Sequence, residues 1–369
     1  MSRKNEAKWV ASANRWQINV QLEGRRRTFT SSIKGLKGKI VAEKKADAWL
    51  ENRLIDETST CTVLLDKYFA SLQASTSAGH WKQQKNYIEN YIRPVIGKKR
   101  ISRVTENDFQ DIIDRAYRDK GLAKKTLTNL KACCMSFVKY CRRARCSNLF
   151  IEGLTIPAGA KRSSKGILPP HDLTTLFTSD LSIYCGKRVE DPLIHAYRLA
   201  VLIGIRPGEL LGLKWADIHD NRLFIKRSIN DDGEITEGKN EDARRQIGLG
   251  KLAQRELAAQ RELCAARSIN SEWIFPNGNG EHLVQYIFRR RWRQYRAVNG
   301  LRTGITLYEL RHTYVTINDE MPEGLKKKVL GHAESMDTEG VYGHLQAEDL
   351  SRAAEYSDKA MSRILGIDL

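Results

Sequence analysis

The sequence predicts a multidomain, mainly α-helical protein that opens with a small β-sheet plus one helix. Three observations carry that expectation. The chain has 369 residues, above the roughly 250–300 at which a single hydrophobic core stops growing. Apolar residues recur at helical spacing along much of it, while strict alternation marks one early stretch. The charge is unevenly placed. Residues 1–57 hold 13 basic and 7 acidic side chains (+6), residues 58–164 hold 20 and 8 (+12), and residues 165–369 hold 29 and 29, a net of 0. The expected domains are therefore 1–57, 58–164 and 165–369.

In the first segment Trp16, Ile18, Val20 and Leu22 alternate with Arg15, Gln17, Asn19 and Gln21, the pattern of a half-buried strand. Glu23-Gly24 turns the chain, and a second strand follows through Arg25-Arg26-Arg27-Thr28-Phe29-Thr30. A helix then gathers Ala46, Trp49, Leu50 and Leu54 on one face. Arg25, Arg26 and Arg27 are either a solvated hairpin edge or a phosphate or groove contact, and the pattern alone leaves both open.

From Thr58 to Ile156 the periodicity predicts helices throughout. Leu65, Phe69 and Leu72 share one face, and Ile88, Ile92 and Val95 the next. Thr105 caps a helix carrying Phe109, Ile112, Ile113 and Ala116, and Leu127, Leu130, Cys134, Phe137, Val138 and Cys141 mark the last one. Cys133, Cys134 and Cys141 read as core filler. Lys98-Lys99-Arg100, Lys124-Lys125 and Arg142-Arg143 fall at helix ends. A net +12 on one small helical domain exceeds what solubility requires, so these clusters are expected to touch a DNA backbone. Ala158 to Lys165 is small and polar enough to be a linker.

The composition narrows the function classes. At 41% hydrophobic and 29% charged residues it is globular, and no stretch approaches the ~18 uncharged apolar residues of a membrane span. The start, Met-Ser-Arg-Lys-Asn-Glu, lacks the apolar core of a secretion signal, so a cytoplasmic location and no membrane partner are expected. Seven cysteines, with no CxxC pair, suggest reduced thiols and neither a disulfide framework nor a zinc site. The overall +18 calls for a polyanionic partner, nucleic acid before a membrane surface.

The third segment carries the chemistry. An apolar helix from Leu193 through Ile203 breaks at Gly204-Ile205-Arg206-Pro207-Gly208-Glu209, and an arginine buried at such a break needs an anionic partner. Further on come Leu307-Tyr308-Glu309-Leu310-Arg311-His312-Thr313, Leu330-Gly331-His332, and Thr338-Glu339-Gly340-Val341-Tyr342-Gly343-His344. With these boxes the chain resembles, over essentially its full length, the tyrosine recombinases of the phage and conjugative-transposon integrase kind.

The resemblance implies the site. Gly204 to Leu210 matches the family's Gly-x-Arg-x-x-Glu-Leu box and makes Arg206 the first catalytic arginine. Lys239 to Arg245 matches a Lys-x-x-x-Ser-x-Arg segment, with Ala243 at the serine, which makes Lys239 the β-turn lysine between strands at Leu223–Ile225 and Ile247–Leu249. The His-x-Leu-Arg-His-Thr box supplies Arg311, with Tyr308 standing where the family has histidine. His332 closes Leu-Gly-His, and ten residues on Tyr342 takes the nucleophile's place. The chemistry needs these types together. Two planar, always-charged guanidiniums neutralise the charge that builds on a phosphodiester's non-bridging oxygens. His332 donates to the same phosphate, and Lys239 protonates the departing 5′ oxygen, help worth ~10²–10⁴ in rate. Tyr342 attacks phosphorus to leave a 3′-phosphotyrosine. Because Tyr308 is a poor base, the acceptor of the Tyr342 proton stays open among His332, His344 and the phosphate. His312 reads as a buried, hydrogen-bonded structural histidine.

The resemblance further implies an arm-type DNA-binding domain at 1–57, a helical core-binding domain at 58–164 and a mixed α+β tyrosine recombinase catalytic domain at 165–369. It implies double-stranded DNA at core and arm sites as the partner, a homotetramer assembled on DNA, accessory DNA-bending and excision factors, and no cofactor, metal or ATP. Leu350, Ala353, Ala354, Tyr356, Met361, Ile364 and Leu365 form a helical pattern expected to dock on a neighbouring protomer, the alternative being a tail folded back on its own domain. The expected activity is integration and excision of a mobile element. The alternatives are a resolvase of the same family, a type IB topoisomerase-like enzyme and a non-catalytic DNA-binding protein.

Overall fold

The structure is a computed structural model and describes residues 5–22, 25–51, 58–162, 165–184, 186–236, 245–331 and 347–368. The chain divides into two compact units, Met1–Ser163 and Ser164–Leu369.

The first unit holds two separate apolar clusters. Strands β1 (Lys8–Val10), β2 (Arg15–Leu22) and β3 (Arg25–Ser31) form an antiparallel sheet in that order, with Ile18 opposite Phe29. Ile18 and Val20 turn inward with Ala42 and Ala46 of helix α1 (Gly35–Glu51), as the alternation predicts. Strand β1 is three residues long, too short for alternation to reveal it. Leu54 lies outside the described residues.

The second cluster is helical: α2 (Cys61–Ser75), α3 (Ala78–Tyr87), α4 (Arg93–Ile96), α5 (Glu106–Lys120) and α6 (Lys124–Arg143). Between α3 and α4 the chain makes a π turn, Ile88–Ile92. Pro94, with no N–H to give, is the local cause of the register change. Leu65, Ile88, Phe109, Ile113, Leu130 and Phe137 are fully buried and hold the bundle together, each apolar side chain contributing about 1.5–3 kcal/mol. Thr105 caps α5 as expected in a capping box, its side chain taking the Asp108 backbone N–H while Asp108 Oδ2 accepts from Thr105 N at 3.0 Å. Cys133, Cys134 and Cys141 sit inside, and burial pushes the Cys133 thiol up to about 12, which leaves it inert.

The helical expectation up to Ile156 is corrected. Helix α6 ends at Arg143 and the residues from 147 to 157 are irregular. Their backbone amides find side chains instead of helix carbonyls. Glu106 Oε1 accepts from Glu152 N at 2.9 Å and Gly153 N at 2.5 Å, and Gln110 Oε1 accepts from Thr155 N at 2.9 Å. That tether lets Ile151 and Leu154 enter the core without a helix.

The second unit is built around α8 (Ile194–Ile203), which follows α7 (Pro170–Thr178) and the hairpin β4 (Leu181–Tyr184) and β5 (Lys187–Glu190). Every residue of α8 is buried. After the short α9 (Pro207–Leu211) come β6 (Ile218–His219), β7 (Arg222–Ile225), β8 (Ser228–Ile229), β9 (Ile235–Thr236) and β10 (Arg245–Gly248). The larger sheet runs β10-β7-β6, with Leu223 opposite Ile247, so the two stretches expected to flank Lys239 pair antiparallel. Helices α10 (Lys251–Ala266), α11 (Gln285–Val298), α12 (Leu307–Ile317), α13 (Glu323–Leu330) and α14 (Ala347–Leu365) complete the unit.

Helix α14 packs on its own unit, the second of the two arrangements open to the tail. Leu350, Ala353 and Met361 are buried. The Asp358 carboxylate accepts from Lys251 N at 2.6 Å and Leu252 N at 3.2 Å, which caps the start of α10. Tyr356, Ile364 and Leu365 are only partly buried against the same core. Among the described residues no helix is long and apolar enough to cross a membrane.

Candidate active site

The break after α8 is made by Gly204, whose φ of +64° ends the helix in the left-handed region. A Cβ there would lie 2.4 Å from the Tyr314 ring of α12, so close approach also demands glycine. Pro207 then starts α9 and holds Arg206 in an extended conformation, φ −72° and ψ 146°. Glu209, at the third position of α9, turns back so that its Oε2 accepts from Arg206 N at 3.1 Å and its Oε1 from Arg206 Nη1 at 2.6 Å. Arg206 is half-buried, and the anion expected to receive it is supplied by its own box.

Arg311 projects from α12 and is 2% exposed. It donates through Nη1 to Gly204 O at 2.9 Å and through Nη2 to Leu330 O at 2.6 Å. Arg206 reaches the next carbonyl, with Nη2 to Gly331 O at 3.1 Å. The two predicted arginines therefore meet on consecutive carbonyls at the end of α13. Helix-end carbonyls have no partner inside the helix and carry the negative end of its dipole, so they suit guanidiniums. Gly331, with φ +63°, terminates α13. Each arginine commits two of its five N–H donors to partners among the described residues, and Arg206 keeps a third of its side chain exposed.

A third guanidinium, Arg245 of β10, joins them. Its Nε donates to Val329 O at 2.7 Å, its Nη1 to Glu209 Oε1 at 3.1 Å and its Nη2 to Glu209 Oε2 at 2.8 Å. Burial alone would raise the Glu209 carboxyl, but hydrogen bonds and charge from Arg245 and then Arg206 outweigh it and hold the group below the usual carboxylate range. For Arg311, burial first, then the charges of Arg206 and Arg245, push the guanidinium down to about 10, so it still carries its charge at neutral pH. Sequence reasoning assigned no role to Glu209 or Arg245. A usable signal was present: Arg245 sits in the inward register of β10 with Ile247, where a charge is out of place unless partnered.

Tyr308 stands one turn before Arg311 on α12 and is 46% exposed. Its ring lies edge-on to His312 at 5.2 Å. His312 is corrected from a buried, hydrogen-bonded histidine to a half-buried one whose ring contact among the described residues is Tyr308. Burial, then Lys165, pushes its pKa down, so it is neutral at pH 7. Lys239, His332, Tyr342 and His344 lie outside the described residues.

Of the residues expected to touch DNA, Arg26, Arg27, Lys98, Lys99, Lys125, Arg142 and Arg143 are exposed, and Lys124 is half-buried. Arg25 lies on β3, its side chain outside the described set. Arg27 lies over the Phe29 ring at 5.6 Å and Arg142 over the Phe150 ring at 3.4 Å. Lys99 is engaged with Asp108 at 2.5 Å. A basic surface that segment-wide charge counting missed runs along α11. Arg289, Arg290 and Arg293 are exposed there, whereas Arg296 turns inward to Ile305 O at 2.6 Å. The Arg289-Arg290-Arg291 run was visible in the sequence but averaged away in a neutral segment.

Comparison with known proteins agrees with this picture. Residues 186–349 match the phage integrase family profile, and residues 62–116 match that of the phage integrase N-terminal SAM-like domain. The chain is 23% identical over 320 residues to the ICEBs1 integrase of Bacillus subtilis (strain 168), over 80% of this chain and 82% of that protein. Among solved structures it is similar to the Tn1549 transposon integrase in complex with transposon right-end DNA, with TM-score 0.61 and 18% identity over 80% of this chain and 98% of that one. It is also similar to a lambda integrase tetramer bound to a Holliday junction, with TM-score 0.60 and 16% identity over 94% and 100%.

Proposed function

Because this chain is a tyrosine recombinase of the phage integrase family, we propose that it cleaves and rejoins DNA at specific sites through a 3′-phosphotyrosine intermediate, integrating and excising a mobile element. The observation that carries the reading is the meeting of Arg206 and Arg311 on the carbonyls of Gly331 and Leu330, immediately before His332 in the chain.

A scissile phosphate at this point meets two fixed guanidiniums with donors to spare, and these neutralise the charge that develops as phosphorus becomes five-coordinate. Tyr342 supplies the attacking oxygen, Lys239 the proton for the departing 5′ oxygen, and His332 a hydrogen bond to the phosphate. Tyr308 has the exposure to donate a hydrogen bond to the same group. The phosphotyrosine retains the energy of the broken bond, so a 5′ hydroxyl of the second DNA closes the cycle by displacing the tyrosine. The exposed cations of residues 1–57 and 58–164 grip arm and core DNA. A homotetramer on DNA is the working assembly, by likeness to the lambda integrase tetramer, and accessory bending and excision factors complete it. The bacterial cytosol, on the nucleoid, is its location.

The test is a suicide substrate that traps the covalent protein–DNA adduct. Tyr342→Phe is expected to abolish the adduct while core-site affinity is retained; a Phe variant that still forms adducts overturns the nucleophile assignment.

A further inference from the structure

Three consecutive carbonyls at the end of α13 each receive a different arginine: Val329 O from Arg245, Leu330 O from Arg311 and Gly331 O from Arg206. Glu209 ties two of these arginines together, taking Arg206 Nη1 and Arg245 Nη1 on one oxygen and Arg245 Nη2 on the other. Arg245 and Arg206 both bond Glu209 as well as an α13 carbonyl, but only Arg245, among the three, holds both carboxylate oxygens through its guanidinium fork. Its side chain is 5% exposed, and three of its five N–H donors are committed within this network, against two for each of the other arginines.

We propose that Arg245 is a positioning residue for strand cleavage, which fixes the plane of the Glu209 carboxylate beneath Arg206 and pins the end of α13 from which the chain continues to His332. The inference rests on the recombinase reading above and names a residue that the reading leaves idle. A buried ion pair is weak support for stability, because its desolvation offsets much of its Coulomb gain, and an apolar pair of equal size does as well. Geometry is what such a pair supplies that an apolar pair does not. The fork of Arg245 meets Glu209 in a bidentate contact while Nε is aimed at a helix end, a three-way constraint that lysine cannot reproduce. The Glu209 oxygen that Arg206 uses is shared with Arg245, so a shift of the carboxylate is passed to Arg206 directly.

The experiment uses the full chain with Arg245→Lys, which keeps the charge and removes the fork. Single-turnover adduct formation on a suicide core-site substrate is measured at saturating protein, beside core-site affinity and thermal unfolding. The expected result is affinity within about twofold of wild type and a cleavage rate lower by about 100-fold, the cost of a misplacement near 1 Å. The loss should shrink when the scissile phosphate is a methylphosphonate, which carries no non-bridging charge for Arg206 to neutralise. It should persist on a 5′-bridging phosphorothioate, whose thiolate leaves without an acid. Combining Arg245→Lys with Arg206→Ala should add little to Arg206→Ala alone, since one acts through the other. If Arg245→Lys does not fold, Glu209→Gln, close to the native shape, carries the same set of expectations. Cleavage at the wild-type rate, or rescue by the phosphorothioate alone, overturns the inference, and the second result assigns Arg245 to the Lys239 turn. A wild-type protein that forms no adduct overturns the recombinase reading itself and the inference with it.

Discussion

The two units use the same side-chain type in opposite ways. In the first, cations stand in water: Arg26, Arg27, Lys125, Arg142 and Arg143 are exposed, and the net charge of +18 belongs wholly to residues 1–164. In the second, formally neutral, several arginines are among the most buried charges. Arg311 is 2% exposed, Arg198 6% and Arg245 9%, each with carbonyl or carboxylate partners. Net charge therefore reports on how the protein associates and says little about where it reacts. On the recombinase reading, cations facing solvent set affinity and its salt dependence, whereas cations held at low dielectric set the rate, because their field at a phosphate is fixed and poorly screened.

The sharpest way to break that division is Arg311→Lys. Lysine keeps the charge but offers one point donor where Gly204 O and Leu330 O need a fork. Cleavage should fall by roughly 10²–10³, the loss typical of one preorganised donor, with core-site affinity little changed. An equal loss of affinity and rate, read by gel shift and single-turnover cleavage, would mean the second unit's cations grip as well as react.

Next in size is Gly204→Ala. Its left-handed backbone costs about 1–3 kcal/mol for a non-glycine residue, and the new Cβ would come within 2.4 Å of Tyr314, so α8 and α12 must part. The thermal unfolding of the second unit should move down while that of the first stays in place. If both transitions shift together, the units are coupled and cannot be treated as separate folding bodies.

Local signals were legible and tertiary ones were not. Helical periodicity found α5 and α6 because Phe109, Ile112, Ile113 and Leu127, Leu130, Phe137 repeat over several turns. Strand β1 left no alternation, because three residues carry no period, although the family resemblance implied a three-stranded sheet there; the stretch from 147 to 157 escaped because its amides are satisfied by Glu106 and Gln110 from over forty residues away. Arg206 and Arg311 could be found because each sits inside a distinctive box. What the boxes could not show is that both end on α13 carbonyls, since main-chain acceptors leave no mark in a sequence. The direction of α14 was illegible for a related reason. An apolar face predicts burial, but only the Asp358 contact with the start of α10 shows that the partner is the same chain.

The smallest expected effect tests the other side of the comparison. Lys125 is exposed at the start of α6, and on the recombinase reading its contribution is one phosphate contact. Lys125→Ala should then reduce the slope of log affinity against log salt by about 1 and leave single-turnover cleavage at saturating protein unchanged. Lys99→Ala provides the internal scale. Lys99 is paired with Asp108 at 2.5 Å, so moving it to a phosphate exchanges one anion for another and releases less counterion. Its removal should change the slope by less than that of Lys125, although the formal charge lost is the same. Equal changes for the two variants would show that intramolecular pairing does not set how strongly a surface cation grips DNA, and the count of exposed, unengaged cations would lose its meaning as a measure of affinity.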